Sequence, residues 1–170
     1  MSHVTQIHSV FTMPLNAEQI EAFLVESDLK YRLEEDGRLL TGFITNCYEN
    51  DEGVRGIVII VSVDEGGEFL EFTAPRLYDA SRCHADRGKL FQVLLDITRR
   101  SKLVRFDHDP EDGEICASVT FPVEDGVLTR RQFRRMLEAI PTMVDRWHPV
   151  IDLAIDQGVV DLDAAAGGKR

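Results

Sequence analysis

No apolar run in this chain approaches the roughly 18 residues that a membrane-spanning helix needs. The longest, Ile57–Val61, is the size of a strand. The opening MSHVTQIHSVFTMPLN has neither a basic start nor a continuous hydrophobic core, so it does not read as a secretory signal. A cytoplasmic protein without membrane contact is expected. The three cysteines, Cys47, Cys83 and Cys116, are odd in number and far apart, which argues against a disulfide framework. No Cys-x-x-Cys pair suggests zinc. Positive charge is also scarce: 19 Lys and Arg stand against 30 Asp and Glu, a net charge of −11 with pI ≈ 4.8. A field of that sign repels phosphate backbones, so nucleic acid is not an expected partner.

Catalytic signatures are missing too. Gly88-Lys89 imitates the end of a phosphate-binding loop, but Cys83 holds the place of its first glycine and Leu90 that of its closing hydroxyl residue. There is no Gly-x-Ser-x-Gly elbow. Cys83 beside His84 could suggest a nucleophile and its base, but sequence neighbours rarely supply that geometry. His148, with Asp145 and Asp152 nearby, reads as a surface or interface histidine. Asp107, Asp109, Glu111 and Gly113 resemble a calcium loop. Counted from Asp107, however, Gly113 falls one place late and the twelfth position is Ser118 rather than Glu. No metal, cofactor or catalytic residue is assigned.

What is present is a folding pattern. With 44% apolar residues, the chain is globular and large enough for one real core. Asn16 and Gln19 form a capping box that opens a helix with Ile20, Phe23 and Leu24 on one face, ending near Asp28. Leu29, Tyr31 and Leu33 then alternate with polar residues as a strand. Asp36-Gly37 turns the chain into a second strand over about Leu39–Tyr48. Val54–Val63 is β-branched on both faces, as expected of a central strand covered on each side. Gly66-Gly67 leads to Glu68–Ala74, which Pro75 should stop. Residues 1–13 could add an edge strand.

A second helix is expected over Ala85–Ser101, then a hairpin around Pro110 and Gly113 with a solvated acidic loop. Thr129 and Gln132 cap the third helix. Its apolar seam includes Phe133, Leu137, Ile140, Val144, Trp147 and Ile151. Pro141 and Pro149 require either a kink or new segments starting at proline. The order is helix, strand meander, helix, hairpin, helix: a single α+β domain with a mostly antiparallel sheet packed with helices. The domain is expected over 16–158, with an N-terminal extension (1–15) and a flexible tail (159–170).

That many apolar faces exceed what one small core consumes, and a residual patch would mark an interface. Phe91, Leu95, Val144 and Trp147 are the expected contributors. The concentrated cations Arg130, Arg131, Arg134 and Arg135 read first as ion-paired with Glu124, Asp125 and Glu138. Arg131 and Arg135 are the candidates for contact with an acidic segment of a partner or a second subunit.

The stretch Leu94–Ile140, with VRFDHD, a loop and ICASVTFPVEDGVLT leading into a long helix, resembles the YbjN family, itself related in fold to the type III secretion chaperones. The resemblance spans about 16–157. It implies an α-β-β-β-α-β-β-α protomer of type III secretion chaperone-like fold, usually a homodimer, and contributes no catalytic residues. The expectation is therefore a non-enzymatic, chaperone- or adaptor-like module that binds a protein client through apolar surface. A small-ligand sensor, or an enzyme whose site escapes sequence motifs, is the alternative.

Overall fold

A computed structural model describes residues 14–83, 85–124, 126–163 and 165. The expected edge strand in residues 1–13 lies outside them. Helix α1 (Ala17–Glu26) starts at the Asn16–Gln19 capping box, in which each side chain accepts the other residue's backbone N–H at 3.0 Å. The chain then makes β1 (Tyr31–Leu33), β2 (Leu39–Ile44), β3 (Gly56–Asp64) and β4 (Phe69–Asp79) as a meander. Helix α2 (Arg87–Arg100) follows, then the hairpin β5 (Arg105–His108) and β6 (Glu114–Pro122), and finally α3 (Arg130–Gln157). All strand pairs are antiparallel, in the order β1-β2-β3-β4-β6-β5. The order is therefore α-β-β-β-β-α-β-β-α, with one strand more in the meander than the α-β-β-β-α-β-β-α order that the resemblance implies.

Alternation of burial along the strands shows where the core lies. Ile57, Ile59 and Val61 of β3, Leu70, Phe72 and Ala74 of β4, and Ala117 and Val119 of β6 are buried with Ile20 and Leu24 of α1 and Phe133, Leu137, Ile140 and Val144 of α3. Phe133 stacks on Phe23 at 5.2 Å between centroids and tilts against Phe72 at 5.4 Å. A second cluster joins Leu90, Val93, Leu94 and Ile97 of α2 to Ile115 of β6 and to Trp147, Val150, Ile151 and Ala154 of α3.

Three expectations change. Pro75 does not stop β4. The register with β6 runs through Ala74↔Ala117 and resumes at Tyr78↔Ile115, so Pro75, Arg76 and Leu77 face Cys116 alone. This bulge removes the need for the N–H that proline lacks. Arg76, at φ 51°, gives its own N–H to Glu114 Oε1 at 2.9 Å. Second, β2 stops at Ile44 rather than Tyr48. Asp145 of α3 accepts the backbone N–H groups of Asn46, Cys47 and Tyr48 at 2.9, 2.6 and 2.9 Å, drawing this segment off the sheet. Third, of the two alternatives for the prolines, new segments are excluded: α3 is one helix of 28 residues that runs through both. Burial of its seam outweighs the two backbone bonds that Pro141 and Pro149 cannot make.

Candidate functional site

Because α1, α2 and α3 pack on one face of the sheet, the other face is uncovered among the described residues. It carries Leu40 and Ile44 of β2 beside Val58 and Ile60 of β3. Leu40 is paired with Ile60, and Gly42, between Leu40 and Ile44, with Val58. Ile44 is 91% exposed and Val58 53%. Val58 and Ile60 therefore do not have the second covering layer expected of this β-branched strand. The open face turns polar across the sheet, where Ser118 Oγ donates to Asp107 Oδ2 at 2.7 Å and Arg105 Nη2 donates to Thr120 Oγ1 at 3.1 Å. The apolar half borders the short edge strand β1, whose Arg32 lies opposite Leu40 on this face.

A second surface lies on the outer side of α2. Leu95 is 70% exposed there. Phe91, half-buried, packs its ring against His108 of edge strand β5 at 4.8 Å between centroids. Asp86 caps this helix by accepting the Gly88 N–H, and Arg99 and Arg100 complement the dipole at its other end. Val144 and Trp147 do not join this surface. Both point into the core, as buried members of the first and second clusters respectively, so a partner cannot reach them without opening the protomer. A heptad-like seam cannot by itself distinguish an interface from the stripe that packs α3 on its own sheet and on α2.

Arg131 and Arg135 are exposed in the first turns of α3. Of the expected ion pairs, Arg134 meets Glu138 at 2.5 Å. Asp125 lies outside the described residues. Arg131 and Arg135 make no ion pair among the described residues.

The remaining candidates occupy the junction of α3 with the bulged end of β4. His148 Nδ1 is 3.2 Å from the Tyr78 hydroxyl, and their rings stack. Tyr48 meets both rings edge-on and donates its own hydroxyl to the Leu77 carbonyl at 3.0 Å. A polar cleft of ≈ 210 Å³ opens here, rimmed by Glu49, Asp51, Asp79, Asp152 and Asp156. Arg82 lies at the rim, ion-paired with Asp51. Burial lowers the affinity of His148 for a proton, against the opposing pull of Asp152, Asp145 and Glu49. Burial also pushes the Tyr48 hydroxyl up to about 12, and that of Tyr78 well above its ordinary value. Cys83 is buried, its thiol 3.9 Å from the Ala154 carbonyl, which is the setting of a core residue. His84 is outside the described residues.

In the hairpin loop that resembled a calcium site, Asp109 and Asp112 turn back on the backbone. Asp109 accepts the Glu111 N–H at 2.8 Å and Asp112 the Glu114 N–H at 2.9 Å. These are turn-forming bonds between two strands.

Sequence reasoning passed over Leu40, Ile44, Val58 and Ile60. A signal was present: an antiparallel sheet usually has one solvated face, so apolar residues at both parities of β3 exceeded what that face requires.

Comparison with known proteins bears on this geometry. The family profile YbjN, described as "Putative bacterial sensory transduction regulator", matches residues 16–153. A chain of the solved structure described as "Structure of the HopA1-SchA Chaperone-Effector Complex" is similar with a TM-score of 0.51 at 14% identity, over 78% of this chain and 94% of that one. That likeness is one of fold, and the fold is type III secretion chaperone-like. No curated protein sequence matches.

Proposed function

This chain belongs to the YbjN family, and on that premise we propose that it is a non-enzymatic protein-binding module, chaperone- or adaptor-like, acting in the cytoplasm as a homodimer. The observation that carries the reading is the one-sided sheet. Leu40, Ile44, Val58 and Ile60 form a contiguous apolar patch that the chain's own helices leave uncovered. A client would gain by burying apolar side chains there, and its backbone could add to the free edge of β1 beside the patch. The β5 edge suits this less, because it borders the polar half of the face, where Arg105 and Asp107 meet Thr120 and Ser118. The net charge of −11 keeps such a surface soluble and favours clients with basic segments. Leu95 and Phe91, on the outer side of α2, supply a separate apolar contact for the second copy. The similar chain from a chaperone–effector complex supports a protein partner for this fold.

The reading is tested by light scattering after size exclusion, with ATP-free suppression of aggregation of reduced insulin. The intact chain should run at twice the protomer mass and slow the aggregation. Leu95→Asp should halve the mass, while Ile44→Asp with Val58→Asp should abolish suppression and leave the mass unchanged. A monomeric wild-type chain that does not affect aggregation would refute the proposal.

The cleft at His148 favours a second reading, a sensor of a small organic cation, because aromatic rings and carboxylates meet there. Thermal-shift measurements with arginine and spermidine separate the two readings: a saturable rise in Tm that Asp152→Asn removes would support the sensor.

A further inference from the structure

The scarce cations of this acidic chain are unevenly placed. Between the end of α2 and the outer side of α3 runs a groove of ≈ 340 Å³, and Lys102, Arg135 and Arg146 stand around it. Its floor is apolar: Leu103, 39% exposed, with half-buried Ala139 and Met143. Glu138 also lines the groove, but Arg134 donates to its Oε1 from Nε and Nη2 at 3.0 and 2.5 Å, so its charge is answered locally. Lys102, Arg135 and Arg146 are exposed and make no ion pair among the described residues. Arg146 rests over the Trp147 ring at 5.4 Å, a contact that orients the guanidinium while leaving its N–H groups available.

We infer that this groove docks an acidic, amphipathic segment of a partner protein. Its apolar side chains would settle on Leu103, Ala139 and Met143, and its carboxylates would meet Lys102, Arg135 and Arg146. Charge complementarity selects this occupant. Three unanswered cations around an apolar floor want carboxylates carried on a chain that also has apolar side chains to bury. A nucleic acid offers phosphates without those side chains, and its long-range field meets a net charge of −11. The groove lies on the helix side of the sheet, so it would be used independently of the open sheet face.

The probe is a fluorescein-labelled peptide with Glu and Leu at helical spacing, followed by anisotropy with the full chain at low and raised NaCl. Its companions carry Lys in place of Glu or Ser in place of Leu, and a labelled oligothymidylate reports on phosphate binding. The Glu/Leu peptide should bind saturably, and more weakly as salt rises. Arg135→Glu with Arg146→Glu should weaken binding about tenfold or more, and Leu103→Ser about threefold, with unchanged far-UV circular dichroism. The inference is overturned if the Glu/Leu peptide fails to bind or ignores the double variant. It is equally overturned if the Lys/Leu peptide or the oligonucleotide binds as tightly.

Discussion

Asp145 and His148, one helical turn apart on α3, tie the helix to the loops beside it by different means. The Asp145 carboxylate is pushed up by partial burial. The bonds it accepts from Tyr48, Cys47 and Asn46 outweigh that, and its pKa lies below the ordinary value of 3.8. His148 is lowered from 6.5, mainly by burial. Both shifts make the unfolded chain bind more protons than the folded one, each in its own window, so both make stability fall with falling pH. The His148 contribution is complete above about pH 6.5 and is lost as pH drops through the lowered folded value. The Asp145 contribution is held until pH falls below the ordinary carboxylate range. Urea melts in steps from about pH 7 to 5 should therefore show declining stability. His148→Gln should flatten the decline, and Asp145→Ala should steepen it, because that carboxylate opposes the lowering of His148, while costing about 2–3 kcal/mol at pH 7. A melt indifferent to pH, or unaltered by His148→Gln, would remove this account.

Individual elements depend on their ends as much as on their apolar faces. Helices α1 and α3 both begin at capping boxes legible in the sequence. The β3–β4 turn is more exacting than its Gly-Gly sequence suggests. Gly66, at φ 70°, has nothing within 4 Å of an added Cβ, whereas at Gly67, at φ 107°, that atom would lie 2.6 Å from the Leu15 carbonyl. The Leu15 N–H also donates to the Gly67 carbonyl at 3.3 Å, so the start of α1 is docked on this turn. Gly66→Ala should cost about 1 kcal/mol, the penalty for a left-handed residue. Gly67→Ala should cost about 2–4 kcal/mol, because backbone must move as well. Chemical denaturation of both variants measures the difference, and equal losses would show that the close approach carries no weight.

Across the whole molecule, two apolar clusters are joined rather than stacked side by side. Tyr78, Phe106 and Met143 pack against both, and α3 runs through both. Such sharing predicts one cooperative unfolding transition. Trp147, the sole tryptophan, belongs to the cluster between α2 and α3, so its fluorescence reports that half. Its urea midpoint should coincide with that of far-UV circular dichroism. Separate midpoints would mean that α2 and the end of α3 unfold on their own.

The order of helices and strands, the capped helix starts and the acidic hairpin were all legible in the residues alone. These follow from local chemistry: which side chains cap, which turns tolerate positive φ, which period repeats. Which apolar faces the described residues leave uncovered was set by packing between distant parts of the chain. Val144 and Trp147 share one seam with core residues and are themselves core, while Val58 and Ile44 look like core and lie open. Periodicity gives a residue its face but does not say what packs there. The prolines show the same limit, since Pro75 survives in a bulge and Pro141 and Pro149 in a helix because burial around them outweighs a missing N–H. The binding surfaces were hard to read in the sequence for that reason: they are the places where packing happens to end.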